Sequence, residues 1–184
     1  DSLESYAAVP IAFAVSCRFR VEPVASGLEG FSIVEEPVPD PYLKDYDAIK
    51  GEGPTRWWRW DLTNWGFLAA FADQRRVGGA IIAWQTEGID MLEGRADLAV
   101  LWDIRVAPDV RGQGVGARLI DHVERWARAR DCRTLKIETQ NINVPACRFY
   151  ARSGCTLGAV FLHAYPELPE EVQMLWYKDL ASQA

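Results

Sequence analysis

The chain of 184 residues has the length of one ordinary domain, and 49% hydrophobic with 25% charged residues is the balance of a soluble globular protein. A net charge of −6 and a pI near 5.0 argue against a nucleic-acid partner and favour cationic small molecules or basic peptide ends. No run of 18 apolar residues is present, so we expect no membrane-spanning segment and no membrane partner.

The first half of the chain predicts mostly strands. The segment "AAVPIAFAV" predicts the first strand of an opening hairpin, and residues 35–54, rich in proline, glycine and acids, predict an ordered loop with one short helix. The segment "GFLAAFADQRRVGGAIIAWQT" predicts two strands around a turn at residues 73–76. Six of the eight tryptophans fall between residues 57 and 102. We expect most of these in the core and one or two beside a cationic acceptor.

The second half alternates strands with helices. A strand, "ADLAVLWDIRV", precedes an amphipathic helix of about five turns in "GQGVGARLIDHVERWARARD", and "RTLKIET" is the next strand. A short helix follows in "NVPACRFYARSG", with Asn143 placed to cap its start and Gly154 after its end. The segments "CTLGAVFLHAY" and "VQMLWYKDL" predict two final strands. This order predicts one domain over residues 1–184, of α/β or α+β class, with helices on the faces of a sheet.

The four cysteines, Cys17, Cys132, Cys147 and Cys155, show no CxxC or Cys/His spacing of the kind that a zinc site needs. We therefore expect reduced thiols, no metal and a cytoplasmic protein.

The segment "VRGQGVGARL" at residues 110–119 places three glycines between a strand and a helix. Successive backbone N–H groups at the positive end of a helix form a binding site for an anion, most often phosphate. Gly112, Gly114 and Ala117 also satisfy the dinucleotide pattern GxGxxA, with Glu138 where a ribose would bind. Three features count against this reading: the motif starts five residues after its strand, it follows more than half of the chain, and too little chain remains for a second half-sheet. The lysine of a Walker motif is absent as well, which excludes a loop that hydrolyses a nucleoside triphosphate.

The same segment reads R-x-x-G-x-G from Arg111 through Gly114 to Gly116, and "ETQNINVPACRFYARSGC" reads E…N-x-x-A-x-x-F-Y-x-x-x-G. These two patterns, in this order, resemble the GNAT family of acetyl-CoA-dependent N-acetyltransferases over roughly residues 98–158. The resemblance implies a mixed, mostly antiparallel sheet with splayed central strands and helices on both faces. Cys155 departs from the family, which more often has phenylalanine there.

The resemblance also implies acetyl-CoA as cofactor, with CoA as product. The backbone of the strand "LWDIRV" would pair with the pantetheine arm, and the glycine loop would hold the pyrophosphate. The implied cofactor-binding residues are Ile104, Arg105, Val106, Arg111, Gly112, Gln113, Gly114, Val115, Gly116 and Asn143.

Aminolysis of a thioester needs a base for the amine and an acid for the leaving thiolate. In several family members the positions of Glu138 and Tyr150 act as base and acid, and Asp103 is the competing base. Each has a structural alternative: Glu138 as a rim carboxylate that attracts a cation, Asp103 as a solvated strand residue and Tyr150 as a packed aromatic.

Three segments, "EEPVPDPYLKDY", "ETQNINVPACRFY" and "MLWYKDL", are similar to the streptothricin acetyltransferase branch, which implies the β-lysine amine of a cationic antibiotic as acceptor. The stretch "TEGIDMLEGRADLAVLWDIRV" is longer than that branch usually has. The alternatives are a protein N-terminal or lysine amine as acceptor, a CoA-binding module without turnover and a nucleotide-binding oxidoreductase. A homodimer stays open.

Overall fold

The computed structural model describes residues 3–181, which form two compact units. The first unit contains residues 3–12, 45–137 and 178–181, and the second contains residues 13–44 and 138–177. Two strands pass from one unit into the other, so each unit is built from separate stretches of the chain. The expectation of a single domain over residues 1–184 stays a prediction.

The first unit is a sheet with one long helix. It contains helix α1 (Leu3–Ala7), strands β3 (Gly66–Ala72), β4 (Arg75–Ala83) and β5 (Leu98–Val106), helix α2 (Val115–Arg128) and the start of β6 (Thr134–Gln140). Strands β3, β4 and β5 are antiparallel neighbours, and β5 pairs with β6 in parallel from Leu98↔Thr134 to Leu101↔Ile137. Short 3-10 turns cover Pro54–Arg59, Asp90–Leu92 and Pro108–Val110.

An apolar core holds the first unit together. Strand β4 is buried from Val77 to Ala83, and α2 buries Leu119, Ile120 and Val123 along one stripe. Tryptophans supply much of one core cluster, as expected: of the six at positions 57–102, all but Trp58 are buried or half-buried. Burial of aromatic side chains of this size contributes strongly to core stability.

The second unit combines a two-stranded ribbon with a small sheet. Strands β1 (Phe13–Pro23) and β2 (Phe31–Lys44) pair antiparallel with each other, with a 3-10 turn at Ala25–Gly27 between them. Strands β7 (Thr156–Phe161) and β8 (Gln173–Asp179) are antiparallel, and the order in this sheet is β6-β8-β7. Helix α3 spans Val144–Arg152. The molecule therefore has the mixed, largely antiparallel α/β fold expected from the sequence.

Several predicted boundaries were wrong. Residues 3–7 form helix α1, and the first strand begins only at Phe13. Helix α2 has 14 residues, about four turns instead of five. Strand β7 ends at Phe161, so the rest of "CTLGAVFLHAY" is a turn region.

The predicted loop at residues 35–54 is strand as far as Lys44. Its prolines misled the prediction, because proline cannot donate to a strand ladder. The register explains how Pro39 and Pro41 are tolerated: Cys17 lies opposite Pro37 and Val15 opposite Tyr42, so residues 38–41 bulge out of the ladder, where no donor is required.

Within the described residues, no helix is long and apolar enough to cross a membrane. The same residues contain no group of three or more histidine, cysteine and acidic side chains placed to hold a metal, and the four cysteines are free thiols.

Candidate active site

The glycine loop lies between the 3-10 turn Pro108–Val110 and the first turn of α2. Gly112 and Gly114 have φ of 77° and 84°, values that favour glycine over any residue with a Cβ. A Cβ built at either position would meet no atom within 4 Å, so it would project into open space. Gly114 caps α2 without a side-chain hydrogen bond, and the first turn carries no acidic residue. The first N–H groups of α2 are therefore available to an anion.

The residues that flank these glycines have separate positions. Val115 and Gly116 begin α2, and the side-chain amide of Gln113 donates to the carbonyl of Asp109 at 3.2 Å. One turn into the helix, Arg118 lines a cavity of about 210 Å³ together with Val115 and Phe71. The loop and the first turn of α2 thus combine exposed backbone donors with a nearby positive charge, which is the chemistry that a pyrophosphate requires.

Arg111 anchors the chain. Its guanidinium donates to the carbonyl of Val106 at 2.9 Å and to the carbonyls of Pro10 and Ala12 at 3.2 Å. These contacts attach the segment before β1 to the loop. Because the guanidinium is bound to three carbonyls, backbone N–H groups are the main anion donors that the loop itself offers.

The predicted pantetheine strand is the second half of β5. Ile104 lies opposite Ala80 and Val106 opposite Gly78 in the register with β4, beyond the stretch of β5 that pairs with β6. The approach to β4 is close, since a Cβ at Gly78 would come within 2.5 Å of the Arg105 carbonyl oxygen. Ile104 and Val106 are half-buried, so both remain partly accessible.

Asp103 and Arg105 point away from solvent into a charged network. Arg105 is 2% exposed and donates to both carboxyl oxygens of Asp103, to both of Asp47 and to the carbonyl of Val9. The Tyr6 hydroxyl donates to Asp103 at 3.0 Å. Burial alone would lower the pKa of Arg105, but its hydrogen bonds to Asp47 and the charge of Asp103 raise it above its ordinary value. The network fixes α1 and the segment after β2 onto β5.

The contacts of Asp103 bear on its predicted role as competing base. Burial raises the pKa of its carboxyl, while the charge and hydrogen bonds of Arg105 oppose that shift. Its side chain is 7% exposed. An aspartate held by an arginine and a tyrosine in the core has a structural task, and these contacts favour that role over proton transfer.

Glu138 lies on β6 at the centre of a hydrogen-bond cluster in the second unit. The Tyr165 hydroxyl donates to Oε1 of Glu138 at 2.5 Å, and Gln173 donates to Oε2 at 2.7 Å. Gln140 donates to Oε1 at 3.4 Å and to the Tyr165 hydroxyl oxygen at 3.0 Å. The side chains of Tyr165, Gln173 and Gln140 are all uncharged. These three donors therefore orient the carboxylate without forming an ion pair with it.

The neighbouring residue Thr139 points to the opposite face of β6, as strand geometry requires. Its hydroxyl accepts from the Trp176 indole at 3.1 Å and lies 3.3 Å from the Cys147 thiol of α3. Cys147 and Tyr150 are buried on the same side of α3, three residues apart. Tyr150 thus lies on the helix that covers the Thr139 face of β6. The Glu138 carboxylate lies on the opposite face of that strand.

Tyr150 is 5% exposed, and its ring lies 5.3 Å from that of Phe149. Asn143 caps α3 as predicted, because its side-chain oxygen accepts from the Ala146 N–H at 3.2 Å. The additional role of Asn143 toward the cofactor stays a prediction.

Sequence reasoning missed the partners of these residues. Tyr6 was assigned to no element, Asp47 to a loop, and Tyr165 and Gln173 to ordinary strands. No local motif marks them, because each finds its partner across a long stretch of chain. Asn141 was missed too, because asparagine is mostly exposed and its residue type does not predict the burial that the structure shows.

Comparison with known proteins agrees with this geometry. The model of the acetyltransferase (GNAT) family matches residues 32–155. A streptothricin acetyltransferase from Escherichia coli is 35% identical over 152 residues, which cover 81% of this chain and 76% of that protein.

Two solved structures share the fold. The structure of a nourseothricin acetyltransferase superposes with a TM-score of 0.75 at 25% identity and covers 96% of this chain and 92% of its own. That of a proposed streptothricin acetyltransferase from Bacillus anthracis str. Ames, solved in complex with acetyl coenzyme A, has a TM-score of 0.72 at 25% identity, with 93% and 88% covered. The chain belongs to the GNAT family of acetyltransferases and carries out N-acetylation with acetyl-CoA.

Proposed function

We propose that this acetyltransferase acetylates a primary amine of a small cationic antibiotic of the streptothricin type, on its β-lysine amine. The observation that carries the proposal is the similarity to streptothricin acetyltransferase over 81% of the chain. The Glu138 cluster supports it chemically, because a carboxylate oriented by the neutral donors Tyr165 and Gln173 attracts an ammonium group and can accept a proton from it.

The glycine loop is the proposed site for the pyrophosphate of acetyl-CoA. The open space in front of Gly112 and Gly114 and the uncapped start of α2 fit a phosphate group bound by backbone N–H groups. The backbone of Ile104, Arg105 and Val106 would pair with the pantetheine arm, and only the backbone of Arg105 could do so, since its side chain is buried in the Asp103 network. When bound, acetyl-CoA supplies the activated acetyl thioester.

Two side chains would move the protons. A carboxyl oxygen of Glu138 would take the proton from the acceptor amine, directly or through a water, so that the nitrogen lone pair becomes available. The Tyr150 hydroxyl would donate a proton to the leaving thiolate sulfur. Asp103 is the alternative base, and its burial beside Arg105 favours Glu138.

The test is an acetylation assay with purified protein and acetyl-CoA, in which released thiol is measured with streptothricin and with a peptide that has a free N-terminus and a lysine. We expect thiol release with streptothricin and a product whose added mass of one acetyl group lies on the β-lysine moiety. Rapid acetylation of the peptide without any acetylation of streptothricin would overturn the acceptor and leave the family unchanged. Binding of acetyl-CoA with no turnover of either amine would favour a CoA-binding module.

A further inference from the structure

Each carboxyl oxygen of Glu138 accepts one short hydrogen bond, and the donors of these two bonds come from outside the two family signatures; Gln140 adds a longer bond to Oε1 at 3.4 Å. Tyr165 lies in the turn region between β7 and β8 and bonds Oε1, whereas Gln173 begins β8 and bonds Oε2. We propose that Tyr165 and Gln173 are positioning residues that fix the Glu138 carboxylate in one orientation for proton transfer. This inference rests on the proposed role of Glu138 as base.

The environment of the Tyr165 hydroxyl keeps it as a hydrogen-bond donor to Glu138. It is half-buried, it accepts from Gln140 at 3.0 Å, and its own proton goes to Glu138. Burial and the negative charge of Glu138 raise the pKa of Tyr165 well above its ordinary value, so the hydroxyl stays protonated throughout the pH range of an assay. A tyrosine whose proton is committed to a carboxylate orients that carboxylate.

Asn141 fixes the position of Gln173 through the backbone of the preceding residue, Val172. The Asn141 side chain, 3% exposed, accepts from the Val172 N–H at 2.8 Å and donates to the Phe19 carbonyl at 2.9 Å. Its backbone N–H donates to the Val172 carbonyl at 3.0 Å. Because Val172 directly precedes Gln173, these bonds set where Gln173 begins β8, and therefore where its amide meets Glu138.

An oriented carboxylate accelerates proton transfer because its lone pair already points along the path of the proton. Loss of either donor removes one of the bonds that hold the Glu138 carboxylate, so that it is less firmly oriented, and a displacement of about 1 Å at a reacting group can cost on the order of 10²-fold in rate. The effect should appear in kcat, while the KM for acetyl-CoA is unaffected, since both residues lie outside the proposed cofactor loop.

The experiment is a double-mutant cycle in which kcat is measured. Tyr165→Phe, Gln173→Met and Glu138→Gln are made as single variants, and each of the first two is also combined with Glu138→Gln. We expect Tyr165→Phe and Gln173→Met each to lower kcat about tenfold with an unchanged KM for acetyl-CoA. In the Glu138→Gln background the same changes should alter kcat by less than about twofold, because the group that they orient is no longer a base. Tyr42→Phe, an exposed tyrosine of β2, is the matched control and should leave kcat unchanged.

The outcomes separate the two proposals. Suppose that Glu138→Gln lowers kcat. If Tyr165→Phe and Gln173→Met lower kcat by the same factor in the Glu138→Gln protein as in the wild type, or do not lower it in either, the positioning role is wrong and the base assignment stands. If Glu138→Gln keeps wild-type kcat, the base assignment is wrong and the positioning role is overturned with it. Circular dichroism and thermal melting of each variant show that kcat is read on folded protein, and Gln173→Met gives a second measurement if Tyr165→Phe does not fold.

Discussion

Asp103 and Arg105, two positions apart on β5, form an ion pair in which Nη2 of Arg105 lies 2.8 Å from Oδ2 of Asp103. The aspartate side chain is 7% exposed and the arginine side chain 1% exposed. The pair lies in the strand whose backbone we assign to the pantetheine arm. Its energetic role and its chemical role can be separated by experiment, because a structural aspartate affects stability and a catalytic one affects turnover.

We expect Asp103→Asn to lower the free energy of unfolding by about 3 kcal/mol, the low end of the cost of removing one partner of a buried pair. The kcat per folded molecule should change little. Denaturant titration and kcat at a temperature where the variant is folded measure the two effects. Asp97→Asn, which removes an exposed pair with Arg95, is the control and should cost less than about 1 kcal/mol. A stable Asp103→Asn protein without activity would make Asp103 the base.

Gly114→Val should abolish stabilisation by acetyl-CoA. In the wild type, ligand at about a hundredfold excess over Kd adds about 2.7 kcal/mol to stability. The valine side chain would fill the space proposed for the pyrophosphate. Gly88→Val is a matched control, because Gly88 also has a positive φ, of 78°, with nothing within 4 Å of a Cβ. Both variants should lose about 1–2 kcal/mol to backbone strain. Thermal melting with and without acetyl-CoA should show that Gly88→Val alone keeps the ligand effect, and a full ligand effect in Gly114→Val would contradict the assignment of the loop.

Glu138→Gln should depress kcat by about 10² at pH 7 and recover in part as the pH rises. A lysine-like amine has a pKa near 10.4, so it loses its proton unaided only at high pH. A pH profile of kcat tests this, with Glu36→Gln on the β1–β2 ribbon as a control that should behave as wild type. A rise in KM for the acceptor with unchanged kcat would show that Glu138 only attracts the cation.

Tyr150→Phe should lower kcat by about 10² while the binding of acetyl-CoA is unchanged, since the variant loses the proposed proton donor but keeps the buried ring. Steady-state kinetics and ligand-dependent melting give the two readouts. Full turnover would mean that Tyr150 serves packing only.

Cys147 should make stability fall at alkaline pH. Burial raises the pKa of its thiol to about 11 from an ordinary value of 9.0. Because the folded-state pKa is raised, the stabilisation is fully present below pH 9 and is lost as the pH rises towards 11, by about 2–3 kcal/mol. Unfolding free energies of wild type and Cys147→Ala between pH 8 and 11 measure this. The difference between the two proteins should narrow across that range, and a constant difference would contradict the prediction.

Local patterns predicted the elements that local forces determine. The apolar stripe of α2, the strand after it and the cap of α3 by Asn143 depend on neighbours within a few residues, and the structure has them where the sequence placed them. The glycine loop is local as well, and its positive φ values follow from its composition.

What failed depends on distant partners. Strand β2 continues through Pro39 and Pro41 because a bulge relieves the ladder there, and nothing in residues 35–44 alone signals that β1 accommodates it. The assignment of Arg105 to the cofactor stays a prediction for its backbone, but the contact of its side chain with Asp47, 58 positions away, was not foreseen. Tyr165 and Gln173 lie 27 and 35 positions from Glu138. Their roles are set by tertiary contacts that periodicity and spacing do not encode.

The bonds between Phe19 and Asn141 join residues that are 122 positions apart. During synthesis at about 5–20 residues per second, the β1–β2 ribbon would leave the ribosome on the order of ten seconds before the strand that completes its unit. A two-stranded ribbon is marginally stable alone. This ribbon carries exposed Leu28 and Phe31 near its turn. The nascent chain therefore exposes an incomplete hairpin with apolar side chains for several seconds. Aggregation of this hairpin, or its binding by a chaperone, would then influence the yield of folded protein.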